Sequence, residues 1–281
     1  MNLDRIKILT LRALMSDETL MHSLVLKGGN ALQLVYDITN RGSIDIDFSV
    51  DREFTAEEFK KMPSLMGYIF NNVFREENLV VFDVRFGLKP KRQSIPEWKG
   101  YLLEFKVIEK DKYDHFAGDL EQIRRNAIKL NDQSTIYEVD ISAHEYTDSA
   151  TTKELEGIFL RVYTLEMILF EKVRALCQTM PEYKDIVASA NPKHRARDVY
   201  DIYTVYNSAT LDLAPELLKQ IFKAKRVPLS FVNNLESLRE HNRANWDSVV
   251  ATVSSDEELE SYDYYFDQLL EIAKPFTNLS E

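Results

Sequence analysis

The sequence has little cysteine, little positive charge and no long apolar run. Its 281 residues include one cysteine, Cys177, which excludes an internal disulfide framework and a cysteine-rich zinc site. The net charge of −11 disfavours a nonspecific nucleic-acid coat protein, because such a protein would be basic. No run of about 18 apolar residues is present, so we expect no membrane partner. The N-terminus lacks a secretory pattern, and the cytoplasm is the simplest location.

Positive charge is concentrated in three short clusters. They are Lys89, Lys91 and Arg92; Lys193, His194, Arg195 and Arg197; and Lys219, Lys223, Lys225 and Arg226. Each cluster is interpreted first as solvated surface, since Lys and Arg are mostly exposed in folded proteins. An enzyme that acts on nucleic acid remains compatible with the acidic composition if its positive charge is local.

Sequence patterns predict an α+β fold in which a mixed-sheet part is followed by a helical part. Strands are predicted at 23–26, 44–50, 80–87, 101–108 and 136–142. Helices are predicted at 2–15, 28–36, from 55 to beyond 70, 122–130, 163–178, 195–206, 215–225, 231–239 and 256–273. The change of character predicts two domains, an α/β core at 1–155 and a helical domain at 156–281.

An acidic row is the first candidate site. Ser43, Asp45 and Asp47 alternate with apolar residues, so on a strand they share one face. Adjacent carboxylates repel each other unless a cation or a donor lies between them. Magnesium takes oxygen ligands from one or two carboxylates together with substrate phosphates. The row therefore predicts a site for Mg²⁺ or Mn²⁺ at Asp45 and Asp47, although an isolated Asp-x-Asp is usually only solvated.

A glycine pair precedes the acidic row. Gly28 and Gly29 end a short apolar run, and their lack of Cβ atoms lets a phosphate approach backbone N–H groups at a helix start. Ser43 is a candidate donor to a phosphate oxygen, and Lys27 is a further nucleotide-binding candidate. A glycine pair alone is usually only a turn. In this order and spacing, the two motifs resemble the nucleotide-binding corner of a nucleotidyltransferase.

A second set of polar residues lies in the helical half. Lys172 occurs in a mostly apolar helix, where a lysine is costly unless it is paired. A phosphate would explain it, as would Glu171 or Glu166. Asp198 and Asp201 are three residues apart and share a helix face. Asp198 either favours the positive end of its helix dipole or holds Lys172 or a base in the substrate pocket.

The ordered segments KGGNAL, RGSIDIDF, EKVRA and RARDVYDIY resemble the AbiEii/AbiGii-type nucleotidyltransferase toxins of the polymerase-beta-like superfamily. The resemblance implies a bilobed fold, with a mixed α/β nucleotidyltransferase core and a helical C-terminal lobe. It also implies a toxin of a bacterial toxin–antitoxin or abortive-infection system, with a cognate antitoxin as a possible partner. Some members of the family transfer nucleotides from an NTP to the acceptor end of tRNA.

The resemblance also assigns roles to residues. Ser43, Asp45 and Asp47 fall on the family's Ser-x-Asp-x-Asp motif, Lys172 on the catalytic lysine of its second motif, and Asp198 and Asp201 on its Asp-x-x-Asp third motif. Asp198 is then expected to orient Lys172 or the acceptor, and Asp201 to contact the nucleotide.

The chain departs from the family pattern at one position, and it offers candidates for one further metal ligand. Thr179 stands where the second motif commonly has an arginine, and Arg174 or Arg161 is expected to replace that phosphate contact. The wider superfamily often has a third metal-binding carboxylate on a neighbouring strand. Glu104 is the first candidate for it and Asp140 the second.

These features together predict a metal-dependent nucleotidyltransferase that uses an NTP and releases pyrophosphate. The predicted acceptor is an RNA, with tRNA included, or a protein. One alternative is a catalytically inactive nucleotide- or protein-binding module, which the threonine at position 179 supports. Another is a small-molecule nucleotidyltransferase.

Overall fold

The computed structural model of the chain describes residues 3–43, 45–91, 95–130, 133–188, 190–253 and 258–280. Its strands are β1 Val25–Lys27, β2 Ile46–Ser49, β3 Leu79–Leu88, β4 Gly100–Glu109, β5 Tyr137–Ser142, β6 Thr151–Leu155 and β7 Ile158–Val162. They form one seven-stranded mixed sheet in the order β3-β4-β5-β2-β1-β7-β6. The predicted fold class, a mixed sheet followed by helices, is confirmed.

The helices dominate the second half of the chain. The α-helices are α1 Leu3–Met15, α2 Glu18–Ser23, α3 Gly28–Asn30, α4 Ala56–Arg75, α5 Lys110–His115, α6 Leu120–Arg125, α7 Leu165–Cys177, α8 Ala196–Ser208, α9 Pro215–Ala224, α10 Arg239–Arg243, α11 Asp247–Val250 and α12 Tyr262–Ala273. Turns of 3₁₀ type occur at Pro96–Trp98, Pro181–Asp185, Leu229–Leu238 and Lys274–Phe276, and a π-helical turn at Ala31–Val35. None of the helices in the described ranges combines the length and hydropathy that a bilayer crossing requires.

The chain packs as two compact units. The first consists of Met1–Leu26, Ile44–His144 and Thr152–Arg161, and the second of Lys27–Ser43, Glu145–Thr151 and Val162–Glu281. A compact packing unit is not the same property as an independently folding domain. The domain division at residue 155 therefore stays a prediction.

The first unit is built on the sheet. Strand β2 pairs in parallel with β5, and β4 pairs antiparallel with both β3 and β5. Helix α4 begins with a capping box between Thr55 and Glu58 and packs against β3. Its apolar face buries Phe70 and Phe74. Both rings pack edge-to-face on the ring of Phe105 in β4, with centroid distances of 4.9 and 6.1 Å. These aromatic contacts hold the sheet that carries the acidic row.

The second unit is built around α7. Thr164 caps this helix through a hydrogen bond from the backbone N–H of Met167, and nearly every later residue of the helix is buried. Helices α8 and α9 both pack against it. A helix that is apolar on most faces is expected at the centre of a helical group. Two charged residues of α7, Lys172 and Arg174, are therefore enclosed by neighbouring helices.

Several predicted boundaries are wrong. The strand predicted at 44–50 begins at Ile46, so Asp45 precedes it, and Ile44 lies outside the described residues. The helix predicted at 28–36 is a short α-helix followed by a π-helical turn. The helix at 231–239 is of 3₁₀ type, and the last helix begins at Tyr262, where Ser261 caps it.

Other elements differ from their predictions or were not predicted. Helix α2 is capped by Asp17, which accepts from the N–H of Leu20, and it extends through Ser23, where a strand was predicted. The N–H of Leu24 still donates to the carbonyl of Leu20 at 2.8 Å. Helix α6 ends at Arg125, five residues before the predicted end. Strands β6 and β7 were not predicted. Arg92 of the first basic cluster lies outside the described residues.

Candidate functional site

The acidic row lies on the sheet of the first unit. Asp47 on β2 is aligned with Asp140 on β5. Aligned residues of neighbouring strands point to one face, and both side chains are partly exposed, whereas Ile46 and Phe48 are buried. Asp45, just before β2, is exposed. The sheet therefore presents carboxylates from two adjacent strands on its outer face.

Glu104 lies further along the sheet. It is aligned with Glu138 on β5 and with Arg85 on β3, so one strand separates it from β2. It lines a cavity of about 260 Å³ whose other charged side chains include Arg85 and Lys106. The strand register thus places Asp140, the second candidate for the third carboxylate, beside Asp47.

The carboxylates on this face influence one another. Burial raises the pKa of Glu138, and the negative charges of Asp45, Asp140 and Glu104 raise it further. Lys89 opposes this crowding by donating from Nζ to Oδ2 of Asp140 at 2.7 Å. Burial alone would lower the pKa of Lys89, but this hydrogen bond and the surrounding carboxylates raise it. The face therefore favours bound positive charge.

The donor set fits a hard divalent cation. Asp45, Asp47 and Asp140 offer carboxylate oxygens, the ligand type that Mg²⁺ and Mn²⁺ prefer. Within the described ranges, no three or more His, Cys, Asp or Glu side chains are grouped closely enough to hold a metal ion by themselves. An ion at this face would thus depend on oxygens from substrate or water, as is common for Mg²⁺.

The glycine pair and Ser43 lie together in the second unit. Gly28 has a φ of +71°, in the left-handed region that favours glycine. A Cβ atom on Gly29 would lie 2.9 Å from Cβ of Ser43 and 3.1 Å from Nη2 of Arg41. Gly29 is therefore required by close packing, and Ser43 is held directly against it.

Lys172 is enclosed in an ion-pair network of the second unit. Its Nζ donates to Oδ1 of Asp198 at 2.9 Å and to Oδ2 of Asp201 at 2.7 Å. Helix α8 presents both carboxylates together because they are three residues apart. Burial alone would lower the pKa of Lys172, but the two carboxylates raise it, so the ammonium stays charged. The predicted contact between Lys172 and Asp198 is present.

Two further arginines complete this network, and sequence reasoning missed both. Arg41 donates from Nε and Nη2 to the two carboxylate oxygens of Asp201, at 2.9 and 2.8 Å. Arg195 donates from Nη1 to Oδ2 of Asp198 at 2.9 Å, so it is not simply solvated surface. Burial would raise the pKa of Asp198, but Lys172 and Arg195 lower it to about 2. Among the described side chains of this network, three cations thus surround two carboxylates, which leaves an excess of positive charge.

A second network contains the other two predicted nucleotide-binding residues. Arg174 donates to Glu145 at 2.8 Å and to Glu171 at 3.2 Å, and Lys27 donates to the same two carboxylates at 3.3 and 3.4 Å. Lys225 lies 3.5 Å from Glu145 and is buried, so its interpretation as solvated surface is wrong. Burial lowers the pKa of Lys225 to about 8, because Arg174 and Lys27 offset the attraction of Glu145.

Position 179 provides no cation. Thr179 is buried and its hydroxyl donates to the carbonyl of Leu176 at 2.7 Å, just after α7. The two arginines expected to replace it have protein partners. Arg174 bonds Glu145, as described, and Arg161 donates to the carbonyl of His22 at 2.9 Å.

Comparisons with known proteins bear on this arrangement. A family model described as the nucleotidyl transferase AbiEii toxin of a type IV toxin–antitoxin system matches residues 9–271. The solved structure of a Helicobacter pylori protein assigned as a nucleotidyltransferase is similar to this one, with a TM-score of 0.50. The two sequences are 14% identical, and the alignment covers 98% of this chain and 93% of that chain. JHP933 from Helicobacter pylori matches with 14% identity, 97% and 89% coverage and a TM-score of 0.41. No curated protein matches the chain.

Proposed function

Because this chain belongs to the AbiEii family of nucleotidyl transferase toxins, we propose that it transfers a nucleotide from an NTP to an RNA or protein acceptor. The observation that carries the proposal is the buried ammonium of Lys172, fixed between Asp198 and Asp201. Charge that is already positioned stabilises a transition state without reorganising during the reaction. The proposed cellular role is that of a toxin with a cognate antitoxin, and tRNA is the first acceptor to test.

In the proposed reaction, an acceptor hydroxyl attacks the α-phosphorus of the NTP. A new phosphorus–oxygen bond forms while the bond between the α-phosphorus and the bridging oxygen breaks. The nucleoside monophosphate stays on the acceptor, pyrophosphate leaves with the electron pair, and the hydroxyl proton passes to solvent. Catalysis of this reaction type depends mainly on positioning and charge stabilisation.

Lys172 would stabilise charge on the phosphates as pyrophosphate leaves. The network around it has more cations than carboxylates, which supports this role. Asp198 would keep the ammonium charged and in place. Gly28 and Gly29 would leave backbone N–H groups open to phosphate, with Ser43 as a hydroxyl donor beside them.

The carboxylates on the sheet would hold the divalent ion. Asp45 and Asp47 are the proposed ligands, and the alignment of Asp140 with Asp47 supports Asp140 as a third, ahead of Glu104. When bound, Mg²⁺ or Mn²⁺ would supply Lewis-acid stabilisation of phosphate oxygens. Lys89 donates to the Asp140 carboxylate and so orients it.

The test is a transfer assay with purified protein, Mg²⁺, each of the four NTPs labelled at the α-phosphate, and total tRNA. We expect label on tRNA with the wild type, and little with Asp45→Ala or Lys172→Met. Lys61→Met is the control, because Lys61 is a highly exposed lysine in α4. Label on protein instead of RNA would support a protein acceptor.

Two results would contradict the proposal. Label appearing only on a small hydroxylated acceptor would point to a small-molecule nucleotidyltransferase. No label on any acceptor, combined with growth arrest that survives Asp45→Ala, would favour a catalytically inactive binding module.

A further inference from the structure

Arg41 forms the most geometrically specific contact in the Lys172 network. Its Nε and Nη2 donate to the two carboxylate oxygens of Asp201 at 2.9 and 2.8 Å. Only 4% of Arg41 is exposed, and Asp201 is fully buried. Two parallel bonds from a planar guanidinium fix the orientation of a carboxylate as well as its position, which a single bond does not.

The same carboxylate orients Lys172. Oδ2 of Asp201 accepts from Nη2 of Arg41 at 2.8 Å and from Nζ of Lys172 at 2.7 Å. Rotation of this carboxylate would therefore move the acceptor of the lysine. Asp198 provides the second acceptor at 2.9 Å and is itself held by Arg195.

Arg41 also lies close to the glycine turn. Its Nη2 lies 3.1 Å from the position that a Cβ on Gly29 would occupy, and Ser43 lies against the same position at 2.9 Å. The backbone N–H of Arg41 donates to the hydroxyl of Thr39 at 3.2 Å, and Thr39 is buried. Arg41 is thus held both at its backbone and at its guanidinium.

We propose that Arg41 is a positioning residue for nucleotidyl transfer. Its guanidinium lies beside Gly29 and Ser43, where it keeps the 39–43 segment in place, and at the same time it orients the Asp201 carboxylate that holds Lys172. The catalytic part of this inference rests on the proposed function. The structural part, which concerns the holding of residues 39–43, is independent of the proposed function.

The main test compares Arg41→Lys and Arg41→Ala with the wild type. Lysine keeps the positive charge but cannot form the two parallel bonds. We expect both variants to lower kcat by about 10²-fold, the effect of a small misplacement of reacting groups. If Arg41 only balanced charge, Arg41→Lys would keep the activity of the wild type.

A matched control is available in the first unit. Arg124 uses the same two nitrogens, Nε and Nη2, to bind Asp83 at 2.6 and 2.9 Å, but its side chain is 42% exposed. Arg124→Lys removes an equivalent pair of bonds, and we expect unchanged transfer kinetics. Loss of activity in Arg124→Lys equal to that in Arg41→Lys would contradict a specific role for Arg41.

Hydrogen exchange separates this inference from the proposed function. In Arg41→Lys we expect faster exchange of the amides in residues 39–43 and in α8, with exchange elsewhere as in the wild type. If the wild type transfers no nucleotide, the proposed function fails, while the exchange result still tests the holding of this segment. Unchanged exchange, or a kcat within about twofold of the wild type, would overturn the inference.

Discussion

Lys172 and Asp201 form a salt bridge of 2.7 Å in which neither side chain is more than 5% exposed. Removing charges from water is costly, and the attraction inside the protein compensates only when both partners are present. A buried pair is therefore far more sensitive to loss of one partner than a surface pair. Asp201 has two such partners, because Arg41 binds the same carboxylate.

We expect Asp201→Asn to destabilise the fold strongly. The amide leaves Lys172 and Arg41 without a full negative charge between them, and breaking a buried pair typically costs about 3–5 kcal/mol. Urea denaturation gives the change in the free energy of unfolding. Asp263→Asn is the control. Asp263 pairs with Arg239 and Arg243 at the surface, so its substitution should change the free energy of unfolding little. Equal effects of the two substitutions would contradict the importance of burial.

Gly29→Ala should raise the KM for NTP. The new methyl group would lie 2.9 Å from Cβ of Ser43, so the 39–43 segment must shift. Such a shift moves the Ser43 hydroxyl and narrows the approach of phosphate to the backbone. The measurement is NTP affinity and transfer kinetics at several NTP concentrations.

Gly67→Ala provides the comparison for that substitution. Gly67 lies within α4, and among the described residues no atom other than those of its chain neighbours and of the adjacent helix backbone lies within 4 Å of the position that its Cβ would take. Alanine in a helix interior should stabilise by about 1 kcal/mol, with kinetics unchanged. A Gly29→Ala protein with the NTP affinity of the wild type would show that the close approach to Ser43 is not needed for binding.

Lys225→Met should stabilise the protein near neutral pH. The pKa of Lys225 is lowered to about 8 in the fold, because burial and the neighbouring cations disfavour its charged form. Below that pH Lys225 is protonated in both the folded and the unfolded chain. Its burial then lowers the free energy of unfolding by a constant amount, at most about 3 kcal/mol. Methionine keeps the length of the side chain and removes the charge.

The advantage of Lys225→Met should decline as the pH rises from about 8 toward the ordinary lysine pKa of 10.5. In that interval the unfolded chain binds more protons than the folded one, so the wild type gains stability with pH. Urea denaturation across this range measures the difference. Lys223→Met, at an exposed position in α9, should show no such trend. A Lys225→Met protein less stable than the wild type at pH 7 would refute the prediction.

Asp140→Asn and Glu104→Gln should differ in metal binding. Each replaces a carboxylate by an amide, but only Asp140 is aligned with Asp47. We expect Asp140→Asn to weaken Mn²⁺ binding by about 10- to 100-fold, and Glu104→Gln to leave it unchanged. Electron paramagnetic resonance of free Mn²⁺ measures the affinity without requiring catalysis. The reverse order would restore Glu104 as the third ligand.

Much of the sheet could be predicted because burial alternates along its strands. Strand β5 alternates buried and partly exposed residues throughout, so its period was visible. Strand β6, TTKEL, lies at the edge of the sheet and buries none of its residues, so it had no apolar alternation to detect. The helix start at Thr55 was predicted correctly, because a capping box is a local signal.

The charge networks could be predicted only in part. The buried helix implied that Lys172 needs a partner, and the spacing of Asp198 and Asp201 showed that they share a face. Arg41 gave no signal, because its partner Asp201 is 160 residues away and only tertiary packing brings them together. Lys225 was wrongly interpreted as solvated surface, because the sequence of a basic cluster does not show which of its side chains is buried.

That separation of 160 residues also sets the order in which the network is assembled during synthesis. Residues 28–47, with both the glycine pair and the acidic row, leave the ribosome well before α8 does. A nascent or proteolysed chain that ends before Asp201 carries those motifs but has no acceptor for the guanidinium of Arg41. Under the proposed mechanism such fragments are inactive. The nascent chain would therefore gain transfer activity only after α8 has been synthesised.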